Sequence, residues 1–252
     1  MNKKISKWSL TFMSAIIIIW SAIGTEFDLS KFLDLGNSLT FLYTKWLPPD
    51  FSILPLAIKA AVVTLQIAIL GTFIAIILAI PLSFLAAYNT SPSPLLYNGT
   101  RWLLNFFRSV PEIVLGLILV PSLGLGPFPA VVAIAVHNIG VLGKLISELI
   151  EAADPGPQEA VASVGAPRLL VIFFGILPQI VPNILSNYFY RLEVGVRTSL
   201  ILGFIGGGGI GNMLFIDFKI FNYTFVATEV LVIMLLVLIV DYLGTFVRKR
   251  VI

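Results

Sequence analysis

Six stretches of this 252-residue chain are apolar over about the length that a helix needs to cross a bilayer. They cover approximately residues 8–24, 54–88, 102–123, 128–149, 178–202 and 225–246. No other feature narrows the possible folds as much. Composition excludes the soluble alternative, because charged residues make up only 12% of the chain and hydrophobic ones 58%, against roughly 25% charged in a soluble domain. A soluble fold of this composition would expose apolar patches that water does not tolerate. The expectation is one all-α membrane domain spanning residues 1–252 with six transmembrane helices. The stretch 54–88 is longer than one span requires, so its first turns around Lys59 are expected at the interface or tilted.

Lysine and arginine orient the spans, since they concentrate in short cytoplasmic loops. Lys3, Lys4 and Lys7 precede the first stretch, and Arg248, Lys249 and Arg250 follow the last. Both termini are therefore expected in the cytoplasm, as an even number of spans requires. The first stretch resembles a signal peptide, but no convincing small-x-small cleavage site follows, so it reads as an uncleaved span. Residues 25–51 should lie outside, with Glu26, Asp28, Asp34 and Asp50 outnumbering Lys31 and Lys45. Residues 89–101 and 147–177 should lie inside, and the turn 124–127 outside. The net charge of +3 is scattered and does not point to nucleic acid. Without cysteine there is no disulfide, thiol nucleophile or iron–sulfur cluster.

The stretch 147–177 is unusual for a loop between spans. Pro155-Gly156-Pro157 breaks the preceding helix, residues 158–164 are good helix formers, and Gly165-Ala166-Pro167 ends them. A short helix bracketed by breakers must lie across the membrane surface, where it is available to a cytoplasmic partner.

Few residues could carry chemistry. No Gly-Lys-Ser/Thr ending marks a nucleotide-hydrolysing loop. The run Gly206-Gly207-Gly208-Gly209-Ile210-Gly211 contains G-x-G-x-x-G spacing but lies between membrane segments, without the strand and helix a dinucleotide site requires. Five glycines in six residues cannot hold a helix. Irregular backbone at membrane depth survives only when buried in protein or lining a wet cavity. Residues 203–211 therefore read as a re-entrant or gate segment, with Gly206, Gly207, Gly208 and Gly209 as candidate gate residues; a plain external loop is the alternative. Arg191, Glu193 and Arg197 lie close to a span, where charges are expensive. Glu193 and Arg197 have the favourable order for an i,i+4 pair; either that pair ties helices together, or the arginines attract an anionic substrate. Arg108 and Glu112, also four apart, read as a buried structural pair beside a kink at Pro111. His137, the lone histidine, suits interhelical hydrogen bonding beside Asn138 rather than a metal site, and no metal or catalytic set is expected.

Glu159-Ala160, Gly165 and Leu177-Pro178 resemble the EAA loop of ABC-importer permeases, with Val161 in place of the second alanine and Gly175 where an aliphatic residue is usual. The set Asp154-Pro155-Gly156-Pro157-Gln158-Glu159-Ala160, Leu177-Pro178-Gln179, Tyr190-Arg191-Leu192-Glu193, Val196-Arg197 and the glycine run resembles the phosphonate-importer permeases more narrowly. Leu47-Pro48-Pro49-Asp50-Phe51 and Arg108-Ser109-Val110-Pro111-Glu112 add to it, so the resemblance covers approximately Trp46 to the C-terminus. It implies a type I ABC-importer permease fold in a bacterial inner membrane, with residues 158–165 as a coupling helix and Glu159, Ala160 and Gly165 as the ATPase-coupling residues. It implies a homodimer, two cytoplasmic ATPase subunits using ATP and Mg, and a periplasmic substrate-binding protein. The implied cargo is phosphonate, phosphite or phosphate, with Arg191, Glu193 and Arg197 along its path. This chain itself would need no cofactor and would not be an enzyme. The rival reading is a secondary transporter of a small anion driven by an ion gradient.

Overall fold

The computed structural model describes residues 3–28, 30 and 35–251. Lys31 and Asp34, counted in the charge balance of the first loop, lie outside the described residues. The chain divides into two compact units, Met1–Leu47 and Pro48–Ile252. The first contains helix α1 (Lys3–Gly24) and the short helix α2 (Leu35–Phe41), which continues into a π-helical turn, Leu42–Trp46.

The second unit opens with a 3-10 turn, Phe51–Ile53, whose first amides are met by the Asp50 carboxylate accepting from the Ser52 amide at 2.9 Å. Helix α3 (Leu54–Ala86) follows with Pro55 in its first turn, where a missing amide does no harm. Its buried face carries Ala57, Ala61, Thr64, Ala68, Thr72, Ala75, Ala79 and Ser83, a stripe of small residues at three- and four-residue spacing. Small residues let backbones approach where lipid offers no hydrophobic drive. Helix α4 (Pro94–Ser109), capped by Ser93, leads to α5 (Glu112–Leu123) and then α6 (Pro127–Glu151). The α3 stripe receives α6, with Ile134 seated over Gly71.

The expected continuous span at 102–123 is instead two helices, α4 and α5, bent by 83°. Proline explains the angle: Val110 is forced to an extended conformation (φ −90°, ψ 117°) by Pro111, which itself lacks an amide to donate. Helix α4 runs back along α6, with Leu104 against Gly143 and the Arg108 backbone against Gly140.

Helix α7 (Pro155–Ser163) begins three residues before the expected start at 158. Pro155-Gly156-Pro157 forms its first turn instead of a separating one, because proline at N1 is preorganised for a helix. Asp154 caps it, accepting from the Gly156 amide at 2.9 Å, and Gly165 beyond its end takes a φ of +78°. Helix α8 (Arg168–Val171) passes through a π-helical turn, Ile172–Ile176, into α9 (Leu177–Leu202). A third π-helical turn, Gly203–Gly207, separates α9 from α10 (Gly209–Lys219), and α11 (Tyr223–Val251) is the last described helix.

Among the described residues four helical segments are long and apolar enough to cross a membrane, or five if the bent α4–α5 pair is one span. The apolar helix Ser9–Gly24 is shorter. The expected total of six is therefore not reached by length and composition.

Candidate functional site

The glycine segment after α9 is packed inside the protein. Gly203, Gly207 and Ile210 are buried. Thr64 of α3 fastens it: its hydroxyl accepts from the Ile210 amide at 3.0 Å, and its carbonyl accepts from the Ser199 hydroxyl at 3.2 Å. The Gly126 amide, in the turn between α5 and α6, donates to the Gly206 carbonyl at 2.9 Å. Gly206 needs to be glycine on two counts, since it sits at φ +98° and a side chain there would run into Leu125. At Gly211 the reason is contact, because its Cα face lies against the Leu200 carbonyl. This burial excludes a plain external loop for residues 203–211 and meets the condition for irregular backbone in a membrane protein.

About three turns before the glycine segment, α9 carries Arg191, 9% exposed. Its Nε donates to Asn138 Oδ1 at 2.8 Å, and Nη2 meets the same oxygen and Glu112 Oε1, the latter at 3.3 Å. His137 Nε2 lies 3.3 Å from that Glu112 oxygen, and its Nδ1 is 2.9 Å from the Val110 carbonyl. Asn138, 1% exposed, also faces the buried Thr72 hydroxyl at 3.5 Å. One network thus joins α3, the α4–α5 break, α6 and α9. Arg108 is not in it. The expected Arg108–Glu112 pair is corrected: the break at residues 109–111 puts the two on helices 83° apart, so i,i+4 geometry is lost. Glu112 turns to Arg191 and His137, and Arg108 is exposed without an ion pair among the described residues.

The Glu193–Arg197 pair is likewise replaced. Both residues reach across to α11, Glu193 to Arg248 Nη1 at 2.5 Å and Arg197 to Asp241 at 2.6 Å. Gly244 makes room, because a Cβ there would meet the Glu193 carboxylate. Asp241, Gly244 and Arg248, at three- and four-residue spacing, mark one face of α11, and this spacing was a readable signal that sequence reasoning passed over.

Helix α7 projects with Glu159, Ala160 and Gly165 exposed. Its start is bound to α9 in both directions: the Asp154 amide donates to Gln179 Oε1 at 2.9 Å, and Gln179 Nε2 donates back to the Asp154 carbonyl at 3.1 Å. Gly175 lies against Gln158, where a Cβ would come within 2.9 Å of the Gln158 Cα. The unusual glycine is therefore what allows α7 to sit on the turn before α9. Beyond α7, Arg168 donates to the carbonyls of Asn89 and Ser91, each at 3.1 Å, and Glu151 binds Arg101 at 3.2 Å and the Tyr88 amide at 3.0 Å.

Among the described residues the protein is a set of apolar helices with one exposed short helix bound to the segment Arg168–Gly207, which is long and apolar enough to cross a membrane. Residues 79–252 match the binding-protein-dependent transport system inner membrane component family, and the chain belongs to that family. It is a multi-pass membrane subunit and not an enzyme. It is 35% identical over 98% of its length to the phosphite transport system permease protein PtxC of Stutzerimonas stutzeri, covering 90% of that relative. It is 39% identical over 84% of its length to the phosphate-import permease protein PhnE of Mycolicibacterium smegmatis, covering 40% of that longer chain. Among solved structures, the MetNI methionine ABC transporter in inward-facing conformations has a chain that superposes with a TM-score of 0.71 at 20% identity, over 81% of this chain and 99% of that one. The type I importer-permease fold follows from that likeness.

Proposed function

We propose that this chain is the membrane-spanning permease subunit of an ATP-driven importer for a small phosphorus oxyanion: phosphonate, phosphite or phosphate. It works as a homodimer, with two cytoplasmic ATPase subunits supplying ATP and Mg chemistry and an extracytoplasmic binding protein delivering the anion. Both termini lie in the cytoplasm. The names of the relatives support the cargo class. The observation that carries the coupling is α7, a nine-residue helix capped by Asp154 and anchored at its start to α9 by Gln179. Motion imposed on α7 by closing ATPases is passed through Gln179 and the Gly175–Gln158 contact into α9. Helix α9 ends in the buried glycine segment, so residues 206–209 are the part of the path that yields. Arg191, Glu193 and Arg197 form its wall, with their charges balanced by neighbours.

The test is uptake of labelled phosphate, phosphite and methylphosphonate into vesicles containing the permease, its ATPase and its binding protein. ATP-dependent uptake of at least one is expected. Uptake driven by an ion gradient with no ATPase present would refute the reading in favour of secondary transport. Glu159→Lys is expected to leave the permease inserted and folded while abolishing ATP-dependent uptake, because it reverses a charge on the docking helix. Normal uptake with the ATPase still co-purifying would defeat that role.

A further inference from the structure

We infer that Arg108 is the cation that meets the transported anion midway through the membrane, an inference that rests on the oxyanion-permease reading.

The position of Arg108 is fixed by its backbone, which lies against Gly140 so closely that a Cβ on Gly140 would be 2.5 Å from the Arg108 nitrogen. Gly140 is thirteen residues after the start and eleven before the end of α6 (Pro127–Glu151). At 1.5 Å per residue that places Arg108 about 16–20 Å from either end of a spanning helix. A charged side chain at this depth is expensive against lipid and settles on a partner or on water. Arg108 is exposed, and among the described residues it makes no ion pair and no side-chain hydrogen bond.

Its neighbours point the same way. Asn105 and Ser109, one turn before and one residue after, are also exposed, so α4 presents a polar strip beside the exposed, stacked rings of Trp102 and Phe106. Thr100 and Leu104, two turns and one turn before Arg108 in the same i,i+4 row, are buried against the rest of the protein, so Arg108 emerges where that packed row ends at the α4–α5 break. Glu112, the carboxylate nearest in sequence, cannot cancel the charge because Arg191 and His137 already hold it. Arg191–Glu112, Arg197–Asp241 and Glu193–Arg248 are balanced pairs, which leaves the Arg108 guanidinium as an uncompensated positive charge facing outward at mid-span. A planar guanidinium offers paired donors that suit phosphorus oxyanions. The polar strip and the free charge together make a water-filled anion path the occupant that this face fits.

The chain has no cysteine, so Arg108→Cys introduces a unique thiol. Vesicles carrying the complete transporter would be assayed for uptake of labelled phosphate and methylphosphonate. Arg108→Ala is expected to lower uptake by about tenfold or more, the equivalent of one lost charge-assisted hydrogen bond, with the ATPase still bound to the permease. In Arg108→Cys, a cationic aminoethyl methanethiosulfonate is expected to restore part of the uptake, whereas an anionic sulfonatoethyl reagent does not, and excess phosphate or methylphosphonate slows both reactions. Three results would each overturn the inference: unchanged uptake in Arg108→Ala, a thiol that water-soluble reagents do not reach, or equal rescue by a neutral methyl reagent. Wild-type vesicles that take up no phosphorus oxyanion would overturn the permease reading and this inference together. Wild-type uptake with an indifferent Arg108 would overturn the inference alone.

Discussion

Helix α9 has two flanks that hold their charges differently. Toward α5 and α6, Arg191 enters a buried network in which Asn138, Glu112 and His137 share its donors and its charge. Toward α11, Glu193 and Arg197 each meet a single opposite charge, and Arg197 keeps 54% of its side chain exposed. The first flank has no freedom to lose one member, since a deletion strands the others away from water. The second is a pair of separate clasps whose strength depends on what surrounds them. One helix thus has a fixed side at Arg191 and a side that can be released at Glu193 and Arg197.

The largest expected effect is on the fixed side. Arg191→Leu leaves Glu112 and Asn138 without their donor and should destabilise the protein by about 3–5 kcal/mol, read as a drop in the thermal midpoint of the detergent-purified complex. A loss under half that size would show the network to be dispensable and erase the contrast. Gly244→Ala pushes the Glu193 carboxylate off its seat and weakens the bond to Arg248, for about 1–2 kcal/mol; combined with Arg248→Ala it should cost little more, because both act on one contact. Arg197→Ala should cost about 1 kcal/mol or less if water reaches the Asp241 pair. A cost approaching that of Arg191→Leu would mean that the pair is sealed away, and the two flanks would then be alike. The smallest effect is expected from Thr72→Val, whose contact with Asn138 is already long at 3.5 Å; a change within about 0.5 kcal/mol is expected from the same melting measurement.

Much of this architecture is readable along the chain. The apolar stretches that become α3, α6, α9 and α11 stand out, because hydropathy is summed over twenty neighbouring positions and needs no knowledge of partners. Helix α7 is readable for a different reason: Pro155-Gly156-Pro157 and Gly165-Ala166-Pro167 are local signals at its two ends, the first forming its opening turn under the Asp154 cap. Pairing across space is not readable in this way. The i,i+4 spacing offers Arg108 to Glu112 and Arg197 to Glu193, yet Glu112 bonds to Arg191, 79 positions away, and Glu193 to Arg248, 55 positions away. Such choices depend on which helices come to lie side by side, and on the bend at Pro111, whose 83° angle no periodicity encodes. Asn138 was noticed only as the neighbour of His137, because one amide in an apolar run does not announce that an arginine fifty-three residues on will be held by it.

The bond from the Gly126 amide to the Gly206 carbonyl has a mechanical corollary. It adds one peptide contact, worth about 1 kcal/mol, to the close packing of Leu125, Pro127 and Ala130 on the glycine segment. A tug along α9 is therefore shared with the α5–α6 hairpin through a polar bond and the packed side chains beside it, and the two slide apart only if both give way together.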